Sequence, residues 1–127
     1  MHIFVLNSKS MQEDLIKEGG FSYIEKGEGR PIIILHGLMG GLSNFQGVFE
    51  YFPSKKYKVI IPELPVENTP ILKTNVATFS KFVKDFIDFK NLKDVVLLGN
   101  SLGGHVGLLF TRDFPELVSG LIITGSS

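Results

Sequence analysis

Gly99-Asn100-Ser101-Leu102-Gly103 is the segment that most narrows what this chain can become. An apolar run, Val95-Val96-Leu97-Leu98, precedes it, and Gly104-His105-Val106-Gly107-Leu108-Leu109-Phe110 follows it and reads as a buried helix. A serine between a strand and a helix, with glycine two positions before and two after, predicts a very sharp turn. Side chains at the flanking positions would collide with the adjoining strand or helix, so Gly99 and Gly103 are required there. The serine is then held in a strained backbone conformation, with its hydroxyl projecting above the sheet.

The rest of the chain supplies the elements that such a turn needs. Phe21-Ser22-Tyr23-Ile24-Glu25-Lys26 alternates apolar and polar residues, the mark of a half-exposed strand. Gly27-Glu28-Gly29-Arg30 reads as a tight turn into Pro31-Ile32-Ile33-Ile34-Leu35, a continuous apolar run suited to a strand covered on both faces. These two strands are expected to pair with each other as an antiparallel edge. Ser43 or Asn44 caps a helix with the stripe Phe45, Val48, Phe49 and Phe52, ended by Pro53 to Lys56. Tyr57-Lys58-Val59-Ile60-Ile61 is the next strand, stopped at Pro62. After a loop, Thr74 or Asn75 caps a longer helix whose apolar stripe is Val76, Phe79, Phe82, Val83, Phe86 and Ile87. The helix after Ser101 runs to about Phe114, and Val118 to Thr124 is a last apolar strand.

This order predicts an α/β fold, a mostly parallel sheet with helices on both faces. Ligands of such sheets bind beyond the carboxyl ends of the strands. His36 to Gly41, Pro62 to Leu64, Gly99 to Gly103, and Ser126 with Ser127 reach that edge. The 127 residues suffice for one core, with residues 1–10 a possible tail and residues 11–127 part of a single domain. Thirteen basic residues balance thirteen acidic ones, which argues against nucleic acid and against an anionic membrane surface as partners. No apolar run is long enough to span a bilayer or to form a signal-peptide core. The lack of cysteine removes disulfides, thiolate metal sites and a cysteine nucleophile, and fits a cytoplasmic setting.

Leu35-His36-Gly37-Leu38-Met39-Gly40-Gly41 follows a strand and lies at the same sheet edge as Ser101. A glycine-rich turn there can aim backbone N–H groups into the space above the serine, where acyl transfer develops a negative oxygen. The backbone N–H groups of Leu102 and Leu38 are the expected donors, with Met39 as a fallback. Phosphate-loop and dinucleotide readings fail, because Gly99 to Gly104 has no lysine before a Ser or Thr and neither glycine cluster has the dinucleotide spacing.

His36-Gly37 after one apolar strand, with Gly99-Asn100-Ser101-Leu102-Gly103-Gly104 after another, resembles the α/β-hydrolase superfamily over roughly Phe21 to Ser127. It is most similar to the small, cap-bearing bacterial branch of esterases, carbon–carbon bond hydrolases and haloperoxidase-like enzymes. The resemblance implies Ser101 as the nucleophile of an acyl-enzyme mechanism, an oxyanion loop at His36, Gly37, Gly40 and Gly41, and a small-molecule substrate without metal or organic cofactor. Met39, Leu64 and Ser126 are the pocket candidates, because they fall at the strand-end edge.

The chain departs from the family pattern in the rest of the triad, where the acid and then the histidine should follow the serine. After Ser101 the histidine present is His105, on the turn's own helix, and the carboxylates Asp113 and Glu116 come after it. His36 reads as a brace for the oxyanion turn, His2 falls in the possible tail, and Glu63 reads as a solvated loop residue. The chain therefore reads as the N-terminal part of a longer hydrolase, truncated after the strand ending near Thr124 and inactive alone. Its apolar strand Leu117 to Thr124 would be an open edge that the missing C-terminal half, or self-association, must cover. A non-catalytic binding or scaffold protein on the same fold, and a lyase or haloperoxidase-like chemistry, are the alternatives.

Overall fold

Ile32, Ile33, Ile34 and Leu35 are all buried, and they alternate between two separate cores. In the computed structural model, which describes residues 15–36, 50–64 and 76–125, this is why the run is apolar without interruption. Side chains alternate across a strand, so a central strand covered on both faces needs apolar residues throughout. The strand is β3 (Arg30–Leu35). Before it come β1 (Ile16–Glu18) and β2 (Phe21–Lys26), and after it β4 (Tyr57–Pro62), β5 (Val95–Asn100) and β6 (Val118–Thr124). Helix α1 (Val76–Lys90) precedes β5, and α2 (Leu102–Asp113) joins β5 to β6.

The six strands form one sheet in the order β1-β2-β4-β3-β5-β6. Strands β4, β3, β5 and β6 are mutually parallel, whereas β1 and β2 run antiparallel to their neighbours. The mostly parallel α/β class is as expected, but the pairing of β2 is not. It pairs with β4, Ile24 opposite Ile61, and β4 separates it from β3. The reason lies in Gly27-Glu28-Gly29, which crosses the start of β4 instead of reversing tightly. Gly27 and Gly29 take φ of 93° and 121°; a Cβ on Gly27 would lie 2.5 Å from the Tyr57 carbonyl oxygen, and one on Gly29 would overlap the Lys56 carbonyl. Skipping one strand means crossing about 10 Å, a span three extended residues can just cover.

Strand β1 was not expected. It is three residues long, carries Lys17 and Glu18, and pairs with β2 through a Gly19-Gly20 turn with φ of 59° and 85°.

The described helices share one face. Phe79, Val83, Phe86 and Ile87 of α1 and Val106 and Phe110 of α2 pack with Tyr23, Ile33, Leu35, Ile60, Val95 and Leu97. The polar side of α1 bears the expected charges, with Lys81 paired to Asp85 at 3.0 Å and Lys84 to Asp88. On the opposite face, Ile24, Ile32, Ile34, Val59, Ile61 and Leu98 form a second buried set, with Phe52 packed against it. Phe52 opens a 3-10 turn, Phe52–Lys55, closed by Lys56 at φ 68°. The rest of the helix expected from Ser43 or Asn44 lies outside the described residues.

A polar cluster ties the end of α1 to β2. Lys90 pairs with Glu25 at 2.9 Å and donates to the Tyr23 hydroxyl at 3.3 Å, and that hydroxyl donates to Glu18 at 3.0 Å. Strand β6 lies at the end of the sheet order, with Ile122 and Ile123 exposed at 43% and 36%.

Candidate active site

Strands β3, β4, β5 and β6 all point their carboxyl ends at one edge, and the β5–α2 junction is built there from Gly99 onward. Strand and helix meet almost without a linker, since β5 ends at Asn100 and α2 starts at Leu102. A Cβ on Gly99 would lie 2.6 Å from the Gly103 carbonyl carbon and 2.8 Å from the Gly104 Cα. One on Gly103 would overlap the Leu35 carbonyl oxygen at the end of β3. Gly104 faces Ile123 of β6, whose Cγ2 would be 2.8 Å from an added Cβ. The three glycines thus let the helix start in contact with β3, β5 and β6.

Ser101 occupies the one residue left between strand and helix. Its backbone sits at φ 57° and ψ −118°, a region that L-residues enter at a cost of about 1–3 kcal/mol. The Ser101 N–H donates to the Thr124 carbonyl at 3.0 Å, and the Ser101 carbonyl accepts from the Gly104 N–H at 2.9 Å. Serine at the residue before a helix usually caps it, its hydroxyl accepting from an early helical N–H. Here the Ser101 hydroxyl makes no such capping bond, and the residue is exposed.

Leu102, the first residue of α2, is half-buried against the helix-side core. Its N–H is among the first N–H groups of a helix, which lack intrahelical acceptors and carry the positive end of the dipole. His36 follows β3 directly and is buried. Gly37, Leu38, Met39, Gly40, Gly41 and Ser126 lie outside the described residues. Leu64, expected at the pocket, is 4% exposed and belongs to the helix-side core with Phe79 and Phe86.

The other polar groups weighed for the site stand apart from one another. His105 is exposed, one helical turn beyond Ser101. Asp113, bound to Arg112 at 3.0 Å, closes the far end of α2, about 18 Å along the helix at 1.5 Å per residue. Glu116 lies further on, in the 3-10 turn Pro115–Leu117. Glu63, after β4, donates its backbone N–H to the Ser22 carbonyl at 2.8 Å. Among the described residues no group of three His, Cys, Asp or Glu could hold a metal ion, and no helix is long and apolar enough to cross a membrane. Two residues at the junction escaped the sequence reading, Asn100 and Thr124. Their side chains meet, the Thr124 hydroxyl donating to Asn100 Oδ1 at 3.2 Å, and only the strand pairing brings them together.

A family model described as the alpha/beta hydrolase fold matches residues 30–127, which include this junction. The chain belongs to the alpha/beta hydrolase family. Among solved structures it is similar to MGS-MChE2, an alpha/beta hydrolase enzyme from the metagenome of sediments from the lagoon of Mar Chica, Morocco. Identity is 64%, the TM-score is 0.83, and the match covers 89% of this chain and 52% of that one. A marine microorganism esterase is 27% identical with a TM-score of 0.70, over 81% of this chain and 40% of that one. Among curated proteins, a 2-hydroxy-6-oxo-6-phenylhexa-2,4-dienoate hydrolase of Comamonas testosteroni is 32% identical over 114 residues, 81% of this chain and 38% of that protein. This alpha/beta hydrolase chain therefore spans about two fifths or less of the curated relatives it matches.

Proposed function

We propose that this chain carries the nucleophile and the oxyanion site of a serine hydrolase acting on ester-like or other acyl carbonyl substrates. The supporting observation is Ser101, exposed at the carboxyl edge of the sheet, in a conformation uphill for serine, with its hydroxyl withheld from capping α2. A hydroxyl placed so gains nothing for the fold that an ordinary capping serine would not supply more cheaply.

In this reading Ser101 Oγ attacks the substrate carbonyl carbon as its proton passes to a base. The carbonyl electron pair moves onto oxygen, where the N–H groups of Leu102 and Leu38 stabilise it. Collapse breaks the bond to the leaving group, which takes the proton, and leaves the acyl chain on Ser101. Water then attacks this ester by the same route and releases the acid. His105, Asp113 and Glu116 are placed too poorly for the base and the acid, so we assign both to residues outside this chain. Its relatives extend well beyond the stretch that matches. Residues 1–127 alone are then expected to lack turnover.

The similarity to a marine microorganism esterase supports esters as the substrate class. The Comamonas relative favours a second reading, an oxo-dienoate acid as the substrate of the same serine. Steady-state hydrolysis of short-chain aryl esters by the full-length protein tests the proposal. Ser101→Ala should lower kcat by about a thousandfold or more. Turnover that survives in a folded Ser101→Ala protein refutes it; turnover confined to oxo-dienoate acids selects the second reading.

A further inference from the structure

We infer that Thr124, acting with Asn100, is a positioning residue for Ser101. The inference rests on the reading of Ser101 as the nucleophile. Asn100 and Thr124 are the last pair in the parallel register of β5 and β6. Three connections converge on this pair. The Thr124 carbonyl accepts the Ser101 N–H at 3.0 Å. The Thr124 hydroxyl donates to Asn100 Oδ1 at 3.2 Å. The next residue, Gly125, has φ 58° and folds so closely over Asn100 that a Cβ there would overlap Oδ1.

Both peptide units that define φ of Ser101 are therefore held, the first from β6 and the second from the helix itself. The unit before it is tethered to Thr124 through the Asn100 side chain and the Ser101 N–H. The unit after it is fixed by the Gly104 N–H, at 2.9 Å from the Ser101 carbonyl. A strained backbone persists only where its surroundings over-determine it. If the amide side is loosened, Ser101 relaxes about φ and carries its Oγ away from the Leu102 N–H. The Thr124–Asn100 bond is exposed. Such a bond adds little to global stability. Its consequence lies in where Oγ is held, and small displacements of a reacting atom are costly in rate.

The test uses the full-length protein with Thr124→Val, which keeps shape and removes the hydroxyl, and Thr124→Ser, which restores it. Thr124→Val should lower kcat for aryl esters about tenfold, with KM and melting temperature close to wild type, and Thr124→Ser should recover most of the loss. Asn100→Ala should cost about as much as Thr124→Val, and the double variant should cost no more than either, since they break one link. Wild-type kcat in Thr124→Val overturns the inference. So does a loss that tracks melting temperature and is not rescued by serine. If the wild-type protein shows no Ser101-dependent turnover, the nucleophile reading fails, and hydrogen exchange at the Ser101 amide still decides the positioning role. Exchange about tenfold faster in Thr124→Val upholds it, and equal exchange overturns it.

Discussion

The Leu35 carbonyl oxygen fills the space where Gly103 would carry a Cβ. The end of β3 and the first turn of α2 therefore meet backbone to backbone, one residue before His36 on one side and two after Ser101 on the other. A Cβ on Gly103 would overlap a backbone atom, so the strand end or the helix would have to shift. Gly103→Ala should cost about 1–3 kcal/mol in denaturant unfolding, the range for overpacking a closed site. A loss below about 0.5 kcal/mol would show that the contact is slack.

Ser101 gives the opposite sign. Its φ of 57° and ψ of −118° suit glycine, so Ser101→Gly should stabilise the fold by about 1 kcal/mol, the strain relieved less the added chain entropy. Ser101→Ala keeps the strain and should unfold like wild type. A Ser101→Gly protein that unfolds more easily than wild type would mean that the backbone there is unstrained.

The Tyr23–Lys90 cluster predicts an alkaline limit. Burial raises the Tyr23 hydroxyl above its ordinary value of 10.0, with Glu18 adding to the rise and Lys90 opposing it. Burial pulls Lys90 down, but its bonds to Glu25 and Tyr23 outweigh that and lift it above 10.5. Both groups hold their protons more tightly folded than unfolded, so the stability they contribute is complete below about pH 10 and is lost as pH rises through the folded values. Urea midpoints of the wild type should hold up to about pH 10 and fall above it, and the Tyr23→Phe/Lys90→Met double variant should flatten that fall. Equal slopes would remove the cluster from the account.

Strand β6 predicts association. It has no charged residue along Val118–Thr124, and Ile122 and Ile123 are exposed on opposite faces. Sedimentation of residues 1–127 should show oligomers, and Ile122→Lys should shift them toward monomer, because a charge blunts an edge. A monomeric wild-type chain at high concentration contradicts this.

Much of the architecture was legible because it depends on local pattern. The run Ile32 to Leu35 is short, mostly β-branched and bounded by turn residues, which suits a strand buried on both sides, and the stripe Phe79, Val83, Phe86 and Ile87 has the spacing of one face of a helix. Gly99, Ser101 and Gly103 announced the bend because each is fixed by contacts within a few residues or with a neighbouring strand end. What was hidden depends on chain crossings. Nothing local says that Gly27 to Gly29 passes over β4, since a loop of glycines reads the same whether it reverses or steps across. Strand β1 is too short and too charged to show alternation, although the Gly19-Gly20 pair marks its turn. The place of Leu64 after β4 points to the strand-end edge, while its side chain packs into the core. Thr124 was invisible as a partner of Asn100 because pairing across a parallel sheet is set by the whole topology.

Peptide mapping of the full-length protein after reaction with a fluorophosphonate tests the central claim most directly. The account predicts a single phosphonyl adduct on the peptide containing Ser101, absent from Ser101→Ala. A folded protein that stays unlabelled, or one labelled at another residue, would contradict it.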